Sequence, residues 1–305
     1  MPALTVSNLT KQYKDVLAVD DVSFSVDAGE IFGILGPNGA GKTTTIELIE
    51  GLRKPDSGQI TILGADAIRE AARLKERIGV QLQAVALIPN LTVWETLDMF
   101  SGLYRKRADP QALLTRFALE DKRDARVGKL SGGQRQRLSV ALGLVNDPEI
   151  VFLDEPTAGL DPQARRALWD TVRDLASEGR TIILTTHYME EAEQLCGRVA
   201  IMDHGRIITL DTPKNLVSSV AAERTIECTL TTTDIDDDLL KRLPGAQSVS
   251  AVDGFATIAT TEPTATIRAL LALESDSGII VDDIRIRTAT LEDVFISLTG
   301  RALRD

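Results

Sequence analysis

Residues 31–45 read IFGILGPNGAGKTTT, and this stretch decides the fold. An apolar run (Ile31, Phe32, Ile34, Leu35) enters a loop of the form G-x-x-x-x-G-K-T, with Gly36, Gly41, Lys42 and Thr43 at the fixed positions. Helix-compatible residues follow, from Thr44 to Glu50. Strand, glycine-rich loop and helix in that order form a cradle for phosphate groups. Without Cβ atoms at Gly36, Gly39 and Gly41, the backbone can turn sharply and bring its N–H groups onto phosphate oxygens. The helix start adds roughly half a positive charge aimed at the same place. Lys42 is expected to reach the β- and γ-phosphates, and the Thr43 hydroxyl to ligate Mg²⁺.

The composition around this loop is that of an ordinary globular chain. It has 305 residues, 43% hydrophobic and 26% charged, with a net charge of −11. So acidic a chain is not expected to bind nucleic acid, which selects basic surfaces. The charge is uneven: residues 1–215 carry 30 acidic against 26 basic side chains, and residues 216–305 carry 15 against 8. Two separated cysteines, Cys196 and Cys228, offer neither a disulfide framework nor a metal cluster, and predict a reducing, cytoplasmic setting. The opening residues MPALTVSNLTKQYKD lack an apolar core, so a secretory leader is not expected. No apolar run approaches the ~18 residues of a membrane span. A membrane role therefore has to come through a partner.

Before the loop, Leu4 and Val6, then Val22, Phe24 and Val26, alternate with polar neighbours as strands do. Tyr13 stands between them and is either a half-buried packing residue or a platform for a purine ring. After the loop helix, Ile78–Gln83 reads as a strand running out into a loop, and helical text dominates from Thr92 to Val145. Inside it lies Leu130-Ser131-Gly132-Gly133-Gln134. Ser131 is placed to cap a helix with Gln134 three residues on. Two glycines in that first turn weaken the helix by up to ~1 kcal/mol each; they make sense where a phosphate must approach the backbone.

Glu149–Pro156 reads EIVFLDEP, an apolar run suited to a strand buried on both faces, with Asp154 and Glu155 at its C-terminal end. Ligands of open α/β sheets bind at that end. Two adjacent buried acids are costly unless they pair or hold a metal. Asp154 is expected to reach Mg²⁺, and Glu155 to orient or deprotonate an attacking water. Asp161-Pro162 opens a helix, Thr181–Thr186 is a second buried strand, and His187 stands at its end. Val199–Met202 and Arg206–Leu210 read as a hairpin with His204 in the turn.

Taken together, these motifs resemble the nucleotide-binding subunit of ATP-binding cassette (ABC) transporters, over residues 1 to about 215. In that resemblance Tyr13 holds the adenine-stacking position, and Gly36, Pro37, Asn38, Gly39, Ala40, Gly41, Lys42, Thr43 and Thr44 form the phosphate loop. Gln83 is the Q-loop residue (Gln81 lies close, but the IGVxxQ frame favours Gln83). Ser131, Gly132, Gly133 and Gln134 belong to the LSGGQ motif. Asp154 and Glu155 end the second Walker motif, Asp161 lies in the D-loop, and His187 is the switch histidine. The resemblance implies a P-loop NTPase α/β fold, a RecA-like core with a helical subdomain at about 90–145. It implies ATP and Mg²⁺ as cofactors, the metal held by Thr43, Gln83 and Asp154, and ATP hydrolysis resting on Lys42, Glu155 and His187. Two copies are expected to face each other head to tail, each ATP held between one phosphate loop and the other copy's LSGGQ.

Beyond residue 216 the text reads β-α-β-β-α-β, the ferredoxin-like order of a smaller α+β domain (216–305). Its elements are a strand at Ile226–Leu230, a helix at Asp234–Leu243, strands at Ala246–Val252 and Phe255–Thr260 with Asp253-Gly254 as the turn, a helix at Thr264–Ser275 and a strand at Ile279–Arg287. A final helix from Thr290 carries Leu291, Val294, Phe295 and Leu298 at helical spacing. Its text, LEDVFISLTGR, resembles the C-terminal element of the drug- and lipid-exporter ATPases of the ABC-2 type, the daunorubicin-resistance subfamily in particular. The resemblance implies a separate ABC-2 permease and a place on the cytoplasmic face of the membrane. Two other readings share the nucleotide motifs. One is an ABC importer ATPase, which the tail disfavours. The other is a soluble ABC ATPase acting on DNA or ribosomes, disfavoured by the short spacing from Lys42 to Ser131, the single cassette and the acidic balance.

Overall fold

The computed structural model describes residues 2–81, 87–220, 224–231, 237–252, 254–277, 279–287 and 289–299. Gln83 and Asp253 lie outside them. The chain divides into two compact units, one up to Pro213 and one from Lys214 onward.

In the first unit the elements run β1 (Pro2–Tyr13), β2 (Val16–Asp27), β3 (Ile31–Leu35), α1 (Lys42–Ile49), β4 (Ser57–Ile62), β5 (Ala65–Asp66), α2 (Ala71–Leu74) and β6 (Ile78–Gln81). They continue with α3 (Val93–Ser101), α4 (Pro110–Arg116), α5 (Gly132–Leu142), β7 (Ile150–Asp154), α6 (Pro162–Ser177), β8 (Thr181–Thr186), α7 (Met189–Leu195), β9 (Arg198–Asp203) and β10 (Arg206–Asp211). Two sheets result. One is antiparallel, in the order β2-β1-β4-β5; the other runs β10-β9-β3-β8-β7-β6, parallel except for the β9–β10 hairpin.

The apolar runs explain the layering. Every residue of β7 and of β8 is buried, as continuous apolar strands between two covered faces should be. The alternating strands β1 and β2 bury one face each, and Leu4, Val6, Leu9, Val22, Phe24 and Val26 join Phe32, Ile34, Ile46 and Phe152 in one core. Within it the rings of Phe24 and Phe32 stack at 5.1 Å. Each such side chain contributes roughly 1.5–3 kcal/mol by leaving water. The antiparallel layer is therefore fastened to the strand that delivers the phosphate loop.

The expected helical stretch is a set of short pieces. Thr92 starts α3 with a reciprocal capping box to Glu95, Asp109 caps α4, and two 3-10 turns (Glu120–Lys122, Val127–Lys129) lead to α5. The end of α5 comes so near β6 that a Cβ on Gly79 would lie 1.9 Å from the Gly143 carbonyl oxygen. Glycine is required there to let helix and strand touch.

The second unit carries α8 (Pro213–Val220), β11 (Arg224–Leu230), α9 (Asp237–Lys241), β12 (Ala246–Val252), β13 (Phe255–Thr260), α10 (Pro263–Ser277), β14 (Val281–Arg287) and α11 (Leu291–Thr299). Its sheet is antiparallel, in the order β12-β13-β11-β14. That is the ferredoxin-like arrangement, closed over Ile226, Cys228, Leu240, Ile258 and Leu270. On α11, Leu291, Val294 and Phe295 are buried, but Leu298, the fourth residue of the expected stripe, is 46% exposed. It lies in the last turn of a helix that ends at Thr299.

Candidate functional site

β3, β7 and β8 lie side by side and point the same way, with Leu35 paired to Thr186 and Asp154 to Thr185. Their C-terminal ends therefore bring the phosphate loop, the two acids and His187 to one edge of the sheet. The loop is built on steric allowances. Gly39 and Gly41 hold φ of 81° and 103°, and a Cβ on Gly36 would lie 2.2 Å from the Met202 carbonyl oxygen. Gly41 caps α1 with no side chain, leaving the first helical N–H groups without a side-chain cap and free for a ligand. The loop opens into a cavity of about 440 Å³ whose walls include Asn38, Gly39, Ala40, Gly41, Lys42, Thr43, Thr44 and Glu155.

Lys42 is buried, 4% exposed, and its ammonium donates to the carbonyls of Gly36 (2.8 Å) and Pro37 (3.1 Å). It also stands 3.5 Å from a Glu155 carboxylate oxygen. Burial holds the Lys42 pKa below its ordinary value, and the Glu155 and Asp154 charges counter that. Across the loop the Thr43 hydroxyl lies 3.4 Å from Asp154 Oδ1. The Asp154 carboxyl is raised by burial, while hydrogen bonds from Thr185 and Thr43 pull it back. A hydroxyl and a carboxylate this close offer hard oxygen ligands of the kind Mg²⁺ takes alongside phosphate oxygens. The residues present fit that ion.

Thr185, fully buried at the end of β8, sits beneath both acids. Its hydroxyl bonds Asp154 Oδ1 and accepts from the Glu155 N–H at 3.0 Å. Glu155 adopts a left-handed φ of 48°, which turns the chain just past β7. Its carboxylate lies 3.3 Å from His187 Nδ1, a contact not aligned as a hydrogen bond. Lys42, Glu155 and His187 thus form one chain of contacts.

The other expected residues lie apart from this cavity. Ser131 and Gln134 make the capping box at the start of α5, each side chain satisfying the other's N–H (3.2 and 2.9 Å). Ser131 and Gly132 are exposed, and nothing stands within 4 Å of where a Gly132 Cβ would be. Asp161 caps α6, accepting from Gln163 and Ala164 N–H groups. Gln136, one turn into α5, donates to the Pro156 carbonyl at 2.7 Å and ties that helix to the segment after β7. Tyr13 does not line the cavity; its ring lies against Lys11 and Arg53, 5.4 and 5.5 Å from the centroid. Gln83 is outside the described residues. The sequence reading missed Thr185, Val16, Leu17, Ala18 and the lining role of His204 and Gly205. Only the TT pair before His187 offered a hint of the first.

Comparison with known proteins bears on this geometry. The ABC transporter family profile matches residues 19–158. The Nod factor export ATP-binding protein I of Burkholderia orbicola (strain AU 1054) is 41% identical over 304 residues, 98% of this chain and 97% of that protein. The protein of the same name from Ralstonia nicotianae is 41% identical over 317 residues, 100% and 96% of the two chains. The chain belongs to the ABC transporter ATPase family. This ABC ATPase also resembles a solved ATP-binding subunit of an ABC transporter, with TM-score 0.65 and 29% identity over 72% of this chain and 93% of that one. A dimeric cassette in a post-hydrolysis state bound to ADP and Pi gives TM-score 0.64 and 27% identity over 68% and 98%. The ABC ATPase is the ATP-binding, ATP-hydrolysing subunit of a transporter. Among its described residues no helix is long and apolar enough to cross a membrane.

Proposed function

We propose that this ABC ATPase powers export of a drug-like or lipid-like substrate through a separate ABC-2 type permease, bound at the cytoplasmic face of the membrane. The export direction is supported by relatives named as export ATP-binding proteins across nearly the whole chain, and the ABC-2 kind by the sequence LEDVFISLTGR that begins with α11. The observation that carries the chemistry is the meeting of Lys42, Thr43, Asp154, Glu155 and His187 at one sheet edge.

Thr43 and Asp154 would hold Mg²⁺, which when bound would neutralise charge on the phosphates. Lys42 and the N–H groups of the loop bind and orient the β- and γ-phosphates. Glu155 orients and deprotonates the attacking water, and His187 holds the Glu155 carboxylate and the γ-phosphate in register. Ser131, Gly132 and Gly133 complete the pocket of a second copy. The exposure of Ser131 and Gly132, and the absence of all three from the lining of the chain's own phosphate-loop cavity, favour this reading.

The test is Glu155→Gln. It is expected to keep ATP affinity, lower kcat by about 10²–10⁴-fold, and yield an ATP-stabilised dimer that captures a polytopic membrane protein from solubilised native membranes. Turnover like the unmodified chain's removes Glu155 from this role. Capture of ribosomes or DNA-associated proteins in place of a membrane protein refutes the exporter reading.

A further inference from the structure

His187 stands in a stack of side chains drawn from two helices. Its imidazole is half-buried, and Nδ1 lies 3.3 Å from a Glu155 carboxylate oxygen in a contact not aligned as a hydrogen bond. Such a contact does not by itself fix the ring about its side-chain torsions. The ring also lies against Tyr188, with centroids 4.1 Å apart and planes tilted by 41°. Tyr188 in turn carries the Arg165 guanidinium, 4.4 Å from its ring centroid. Arg165 Nε is buried with no hydrogen-bond partner among the described residues, a cost that an aromatic face offsets.

The backbone and a buried acid fix where this stack stands. Thr186, fully buried at the end of β8, accepts from the Tyr188 N–H at 2.9 Å and so closes a turn two residues on. Arg165 comes from the start of α6, and its N–H donates to the Asp161 carbonyl at 2.9 Å. Trp169, four residues further along the same helix face, donates its indole N–H to Glu191 Oε1 at 3.0 Å. Glu191 lies on α7 and is fully buried. Burial raises its carboxyl, and the Arg165 charge is among the influences that pull it back. One acid on α7 thus holds α6 through Trp169 and lies in the field of the cation that covers Tyr188.

We propose that Tyr188 is a positioning residue for ATP hydrolysis: clamped by Arg165, its ring holds the His187 imidazole in register with Glu155. This positioning rests on the reading of His187 as a participant in hydrolysis. Tyr188 lines no part of the phosphate-loop cavity and acts through the histidine. Loss of a packed aromatic pair corresponds to about three- to tenfold in rate.

Single-turnover phosphate release by the full chain, with the affinity for magnesium ADP measured by calorimetry, tests this. Tyr188→Leu is expected to slow hydrolysis by about three- to tenfold, and Tyr188→Phe, which keeps the ring, to recover the rate. Arg165→Met is expected to slow it by about two- to fivefold. All three are expected to leave the affinity for ADP, which has no γ-phosphate, unchanged. In a His187→Ala chain, adding Tyr188→Leu is expected to cost nothing further, an outcome that a merely structural role would not give. An unaltered rate in Tyr188→Leu, an equal loss in Tyr188→Phe, a parallel loss of ADP affinity, or the same loss in the His187→Ala chain each overturns the proposal. The reading beneath it fails differently: His187→Ala alone would then hydrolyse ATP as fast as the unmodified chain. A slow His187→Ala beside a fast Tyr188→Leu removes only the positioning role.

Discussion

Replacing Thr185 with valine removes one hydroxyl from beneath the two acids and almost nothing else. Valine keeps the branched shape, so no cavity opens in a strand that is buried throughout. The hydroxyl serves two groups, Asp154 Oδ1 and the Glu155 N–H. The Glu155 N–H keeps a second acceptor, the Thr185 carbonyl at 3.2 Å, so the loss falls mainly on Asp154. A hydrogen bond to a charged group is worth about 1.5–3 kcal/mol. Among the described residues, the Asp154 carboxylate then keeps the longer contact from Thr43, at 3.4 Å. The expected loss of stability is therefore about 2 kcal/mol, a fall in Tm of roughly 4–8 °C for a unit of this size.

The pH dependence has a definite sign. Burial raises the Asp154 carboxyl in the fold and Thr185 opposes that more than any other group, so the variant raises it further. A carboxyl whose folded pKa is raised favours the ligand-free fold below its unfolded value, and that contribution is lost as pH rises through the folded value. The deficit of Thr185→Val should thus be largest at neutral pH and shrink in acid, where Asp154 is protonated in both proteins. Thermal melts of the ligand-free chain at about pH 5 and about pH 8 measure it. The magnesium concentration for half-maximal ATPase activity should also rise. Equal Tm values for the two proteins at both pH values would refute the claim that Thr185 holds Asp154.

Two further outcomes follow from the same geometry. Glu50, at the end of α1, is pushed up to about 9 by burial first and then by the Asp154 and Glu47 charges. Its contribution to stability is present below its unfolded pKa and lost as pH rises through the folded value of about 9, so Glu50→Gln should flatten the fall in Tm between about pH 5 and pH 9; parallel melting curves would contradict this. Gly41→Ala should weaken ATP binding by about ten- to a hundredfold through backbone strain, since φ is 103° and the new Cβ would lie 2.4 Å from the Ala18 carbonyl oxygen; titration calorimetry measures it.

Much of this was legible in the sequence where one short segment contains the whole physical reason. IFGILGPNGAGKTTT carries its strand, its glycines and its helix start within 15 residues. The unbroken apolar runs of β7 and β8 allow only burial on both faces, and the Ser131–Gln134 pair specifies its own helix start. The ferredoxin-like order could be read from alternation and turns. What could not be read depends on partners far away in the chain. Glu50 is buried by segments that no local pattern links to it. Thr185 reads as any β-branched strand residue until β8 lies beside β7. Val16 and Leu17 look like strand residues destined for a core, yet the register places them at a cavity mouth. The last helix departs from its spacing at one position: Leu298, in the last turn of α11, is 46% exposed where Leu291, Val294 and Phe295 are buried.

The exposed start of α5, set apart from the loop it would complete, has a consequence for inheritance. If each working pocket is assembled from two chains, then a chain lacking Lys42 and a chain lacking Gly132 are each inactive alone, but not defective in the same half. Placed in one cell, they form mixed pairs in which one of the two pockets receives both sound halves. Two broken alleles of one gene would then restore transport between them, while either one, paired with an intact copy, would silence only part of the assembly it enters.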